Sequence, residues 1–116
     1  MSIRTSVDDL NRLIAQRQLL EGFDRYYAPN VVMLGNGEPA TEGKEPNLAR
    51  EEAFVGGLTK WDAKLIASTV DDERGLAMNE WELAFTHSAW GDVNVRQVAV
   101  QQWRAGQIVH EAFYKL

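Results

Sequence analysis

The sequence predicts an α+β fold, with N-terminal helices packed on one face of a curved antiparallel sheet. Three observations point there. Apolar residues recur at helical spacing only in the first half, at Val7, Leu10, Leu13 and Ile14 and again around Leu48. From Trp61 onward, alternation of apolar and polar residues replaces that period. The alternating runs are joined by short acidic or glycine-bearing turns, which favour antiparallel neighbours.

In chain order, Ser6 opens the first helix, and Asp8 and Asp9 follow where the helix dipole favours acids. The apolar phase breaks at residues 16–18 and resumes as Leu19, Leu20, Phe23, Tyr26 and Tyr27, which fits two short helices or one kinked one. Pro29 stops it, because the residue before a proline avoids the helical region. Residues 31–34 form a short strand, and residues 35–43 a turn-rich loop expected at the rim of the fold. The glycines of that loop fit neither a P-loop nor a dinucleotide-binding spacing. Residues 45–54 read as a helix with Leu48, Ala49, Ala53 and Phe54 as its apolar stripe, ended by Gly56 and Gly57. Strands follow over residues 61–70 and 76–87, and a hairpin over residues 94–116 closes the chain.

A chain of 116 residues holds one domain, spanning residues 1–116. A net charge of −5 argues against a nucleic-acid partner, since phosphate binding needs a basic surface. With no cysteine, disulfides and thiolate chemistry are excluded. No apolar run approaches membrane-spanning length and nothing resembles a signal peptide, so no membrane partner and a cytoplasmic location are expected. His87 and His110 are not spaced as metal ligands, and neither a metal nor another cofactor is implied.

The closing hairpin organises the site. With Arg104, Ala105 and Gly106 as a three-residue loop, Gln101 would pair with Val109, Ala99 with Glu111 and Gln97 with Phe113. Alternation then gathers Gln97, Ala99, Gln101, Trp103, Val109, Glu111 and Phe113 on one face. Aromatics mixed with two amides and a carboxylate compose a pocket wall better than a dry core. The opposite face, with Val98, Val100, Ile108, Ala112 and Tyr114, is too apolar to leave in water.

The stretches FDRYYAPNVVM, EGKEPNLAREEAF, GLAMNEWELAFTH and QVAVQQWRAGQIVHEAFYKL resemble the nuclear-transport-factor-2-like superfamily, in its SnoaL-like (polyketide cyclase-like) branch. The resemblance covers nearly the whole chain. It implies a cystatin-like cone in which helices fill a strongly curved sheet around a small-molecule pocket, and a homodimer paired through the outer sheet face. It also implies where chemistry would sit, and most of those positions lack it. The isomerase-type base falls near Leu34 and its acid partner near Ala99, neither able to transfer a proton. The epoxide-hydrolase charges fall on Trp81, Leu83 and Phe113. Of the cyclase pattern, Gln97 matches the glutamine but Phe113 replaces the acid.

Glu111 is therefore the candidate catalytic residue, a carboxylate whose apolar neighbours would raise its pKa into the acid–base range. Alternatively it is a buried glutamate held by Gln97, Gln101 or a tyrosine hydroxyl. Tyr27 is preferred over Tyr26 as the tyrosine facing the pocket. Asn79 and Trp81 lie on the inward face of their strand, Trp81 either as a wall for a ring or as a core aromatic. The ligand-contacting set expected is Tyr27, Leu34, Asn79, Trp81, Gln97, Ala99, Gln101 and Phe113. Three functions stay open: a binding cone for a hydrophobic or cyclic compound, an acid–base enzyme (isomerase, cyclase or hydrolase) using Glu111, and a dimerisation module with an incidental cavity.

Overall fold

The computed structural model describes residues 2–116, which form three helices and a six-stranded sheet. In order they are α1 (Arg4–Ala15), α2 (Leu19–Tyr26), β1 (Tyr27–Leu34), β2 (Thr41–Glu42), α3 (Lys44–Gly57), β3 (Leu58–Asp71), β4 (Leu76–His87), β5 (Gly91–Arg104) and β6 (Gln107–Lys115). The sheet runs β2-β1-β6-β5-β4-β3 and curves around the helices without closing. Its pairs are antiparallel except β1 with β6, a parallel pair that the sequence reading missed. Parallel neighbours need a long connection. Here the connection contains α3 and four strands, so nothing local in the sequence marks the pairing.

α1 begins at Arg4, two residues before Ser6. Its end is capped from a distance: Asp72, in the β3–β4 turn, accepts the Ile3 N–H at 2.8 Å and the Ser2 hydroxyl at 3.1 Å. The helix buries Val7, Leu10 and Leu13 almost completely, each worth about 2 kcal/mol of transfer free energy. Between α1 and α2, Arg17 takes a left-handed conformation, φ 62°. The Arg17 and Gln18 N–H groups reach back to the Ile14 and Leu13 carbonyls, a Schellman closure without the usual glycine. There are two helices. β1 starts directly at Tyr27, so Pro29 lies inside a strand, at an exposed position.

The β5–β6 turn has two residues rather than three. Ala105 and Gly106 both have positive φ (51° and 78°), the type I′ geometry that suits a right-twisted hairpin. A bulge at Val109 follows, because Gln102 pairs with His110 while Trp103 pairs with Ile108. The bulge turns Ile108 inward, where it is fully buried in a core cluster with Val7, Phe23, Val31 and Trp103, not on the outer face. Together the shorter turn and the bulge shift the register by two residues from that expected. Glu111 faces Gln101, Phe113 faces Ala99 and Lys115 faces Gln97.

Candidate functional site

Between the concave face of the sheet and the helices lies a cavity of about 540 Å³. Its apolar walls come from Leu10 and Ile14 of α1, Phe23 of α2, Phe54 of α3, and Trp61, Trp81, Leu83, Phe85 and Phe113 of the sheet. Polar groups enter it from four places: Tyr27, Glu51, the pair Gln97 and Gln101, and β6 with Glu111 and Lys115.

The register of the hairpin builds the buried polar cluster. Because Glu111 sits opposite Gln101, the Gln101 amide Nε2 donates to Glu111 Oε2 at 2.7 Å. Tyr27, at the α2–β1 junction and stacked on Phe23 (4.7 Å between centroids), donates its hydroxyl to the other carboxyl oxygen, Oε1. The Gln101 amide cannot flip without loss. Its oxygen accepts the Trp103 indole N–H at 3.0 Å and the Asn79 amide at 3.4 Å. Asn79 Oδ1 in turn accepts from Asn11 (2.9 Å) and Ser68 (2.6 Å), and Ser68 accepts from Arg4 at 2.9 Å. The chain of bonds thus runs from the surface to the carboxylate.

Burial dominates the electrostatics. It pushes the Glu111 carboxyl up to about 7, although the bonds from Tyr27 and Gln101 favour its ionised form. Burial, and then the Glu111 charge, hold the Tyr27 hydroxyl well above its usual value, so it acts as a donor. Glu51 on α3 is also pushed up to about 7, by desolvation first and by the Glu111 charge second. Its carboxyl makes no hydrogen bond or ion pair among the described residues. Two carboxyls in one apolar cavity therefore each oppose the other's ionisation. At the cavity's edge, His87 packs in a three-ring cluster with Phe54 (5.7 Å) and Trp90 (4.1 Å), which lie 5.9 Å from each other, and its Nδ1 accepts the Ala89 N–H at 3.0 Å. His87 is buried although it ends its strand.

No protein-family model matches the sequence, and no curated protein matches it either. Solved structures do match. A candidate SnoaL-like polyketide cyclase from Mesorhizobium loti superposes with TM-score 0.82 over 98% of this chain and 99% of its own, at 18% identity. A candidate polyketide cyclase from Pseudomonas putida gives 0.82 over 98% and 91%, at 15% identity. Bal32a, from a soil-derived mobile gene cassette, gives 0.80 over 97% and 88%, at 12% identity. The chain has the SnoaL-like, nuclear-transport-factor-2-like fold.

Within this SnoaL-like cone, Tyr27, Trp81, Gln97, Ala99, Gln101, Glu111 and Phe113 all line the one cavity. Two expected ligand contacts do not. Leu34 is in register with Ala112, Val100 and Met78 and so lies on the convex face, while Val31 and Met33 point inward. Asn79 is fully buried one layer behind Gln101, where it orients the amide rather than touching the cavity. The loop at residues 35–43 is not part of the cavity wall; its Glu38 pairs with Arg50 on the surface. Tyr26 points away and donates to Asp9 at 2.5 Å.

Glu51 was missed. Of the stripe expected from the sequence, Ala49 and Ala53 are exposed while Leu48 and Phe54 pack against the core, and the inward face also carries Asn47 and Glu51. Asn47 is buried because its amide bonds the Thr41 and Gly43 carbonyls, at 2.9 and 2.8 Å. The signal for that face was the spacing of Asn47, Glu51 and Phe54 (i, i+4, i+7), which an apolar-only reading passes over. Trp61, Trp90 and Lys115 also line the cavity without having been singled out as contacts. Among the described residues no group of acids and histidines forms a metal set, and no helix is long and apolar enough to cross a membrane.

Proposed function

We propose that this protein binds a hydrophobic, ring-bearing small molecule in the cone. The observation that carries this is the cavity itself. About 540 Å³ falls within the range of drug-sized ligand sites, and flat aromatic walls enclose a few convergent polar groups. The similarity to candidate polyketide cyclases, proteins named for cyclic products, supports a ligand of that shape. Native mass spectrometry of freshly purified protein tests it: a co-purified mass, displaceable by an added aromatic compound, is expected. Protein that is ligand-free and fails to bind any aromatic probe at millimolar concentration would remove the reading.

A second reading, acid–base catalysis on the bound ring, is favoured by one observation. Glu111, held by Tyr27 and Gln101, has its carboxyl pushed up to about 7, near the pH at which a proton is most usefully taken and returned. Isomerisation, cyclisation or hydrolysis would all use such a group. A Glu111 carboxyl that titrates like a surface glutamate, followed by carbon NMR, would exclude this reading and leave binding untouched.

The convex face supports a symmetric homodimer. Leu34, Ala112, Val100 and Met78 form one apolar row across four strands, and Val98 and Tyr114 extend it. Met78 and Tyr114 are 44% and 53% exposed, more than an isolated sheet face of this kind tolerates easily.

A further inference from the structure

We propose that the occupant of the cavity is an organic cation, a ring-bearing amine whose ammonium group sits with Glu51 and Glu111 while its rings lie against Trp61, Trp81 and Phe85. This rests on the reading of the cavity as a hydrophobic-ligand site and narrows it to a chemical class. The titratable groups facing the cavity are Tyr27, Glu51, Glu111 and Lys115. Lys115, the sole cation among them, is exposed near the end of β6 and pairs with neither carboxylate among the described residues. The cavity thus carries two potential negative charges and no buried positive one.

The hydrogen-bond inventory points the same way. Each Glu111 oxygen receives one donor, from Tyr27 or Gln101, and a carboxylate oxygen accepts two. Glu51 receives none among the described residues. The site therefore offers acceptors that remain open, which an ammonium with up to three N–H donors satisfies. A neutral ring would leave both carboxyls opposing each other's ionisation, and an anion would add to that repulsion. An ammonium relieves desolvation and repulsion together. The tryptophan faces in the lining stack against the ligand's rings.

The sign of the pH dependence follows. Both carboxyls are pushed up to about 7, so they are protonated and neutral well below that pH and ionised above it. An amine that stays protonated throughout binds weakly at pH 5.5 and tightly at pH 8.5. A neutral alcohol, which accepts a hydrogen bond from a protonated carboxyl, shows the reverse trend.

Isothermal titration calorimetry on the intact chain separates these cases with three probes of one shape: 2-(1-naphthyl)ethylamine, 2-(1-naphthyl)ethanol and 1-naphthylacetate. At pH 8.5 the amine should bind about tenfold or more tighter than the alcohol, the range of a charge-assisted hydrogen bond. That preference should fall to about threefold or less at pH 5.5. Glu51→Gln should weaken the amine about tenfold while leaving the alcohol within about twofold, so the alcohol also reports that the variant is folded. If alcohol or acid binds as well as the amine at pH 8.5, or if E51Q weakens amine and alcohol alike, the cation proposal is overturned while the hydrophobic pocket stands. If none of the three binds, both fall together.

Discussion

Replacing Glu111 with Gln should flatten the pH dependence of folding stability. In the folded protein the carboxyl is pushed up to about 7 by burial, and in the unfolded chain it returns to the ordinary value of 4.5. A raised folded-state pKa means the folded protein holds this proton more tightly. Its contribution is fully present below pH 4.5 and is lost as pH rises to 7, above which the buried charge persists. At 1.36 kcal/mol per pKa unit, the full loss is about 3 kcal/mol, of which about 2–3 kcal/mol falls between pH 5 and pH 8. The residue is only 1% exposed, so solvent screening removes little of this. E111Q has no proton to lose and should lack that part of the decline. The substitution also sets the new side-chain amide N–H against the Gln101 amide or the Tyr27 hydroxyl, at a cost of about 1–2 kcal/mol that does not vary with pH. The slope rather than the absolute stability is therefore the readout. Urea melts followed by tryptophan fluorescence at pH 5, 6, 7 and 8 supply it. Wild-type and E111Q profiles that run parallel would refute the assignment of a buried, proton-holding carboxyl.

Tyr27→Phe removes a bond that favours ionised Glu111, so the Glu111 titration midpoint should move up by about one to two units in carbon NMR; a midpoint that stays or falls would show the bond is unimportant. Gly57→Ala would place a Cβ 2.3 Å from His87 Nε2, and the ring is packed against both Phe54 and Trp90. A loss of about 1–3 kcal/mol is expected, or roughly 4–12 °C in Tm for a chain of this size, whereas Gly56→Ala, with open space around it, should melt like wild type. Val100→Asp, in the middle of the convex apolar row, should yield monomers by light-scattering chromatography; a variant that still elutes as a dimer would place the interface elsewhere.

The architecture was legible because its signals are local. Helical spacing at Val7, Leu10 and Leu13 and alternation along β4 each commit a segment to one face, and those faces are the ones buried. Two features were not local and were lost. The α1 start depends on Asp72, about seventy residues away, whose carboxylate takes the place of the N-cap side chain expected of Ser6. The parallel β1–β6 pairing joins chain ends that no turn connects.

The site shows a finer version of the same limit. Parity along a strand is robust, so the hairpin residues assigned inward from Gln97 to Phe113 do face the cavity or the core beneath it, apart from the bulged Val109. Register is not robust, because it depends on one turn residue and one bulge. Reading Arg104 into the loop placed Glu111 directly opposite Ala99, which offers no side-chain bond, and left Gln97, Gln101 and a tyrosine as equal alternatives for holding it. The two-residue turn and the bulge at Val109 place it against Gln101, whose amide is already fixed by Trp103 and Asn79. A two-residue slip preserves every side chain's face and still decides which of those partners the carboxylate meets, here Gln101 and Tyr27. Glu51 failed for a different reason. It reaches the cavity from a helix whose inward face is held partly by polar bonds through Asn47, so an apolar stripe that catches Leu48 and Phe54 still passes over it. Glu51 and Glu111 share one cavity only once α3 is laid across the sheet, and the cation proposal rests on that convergence.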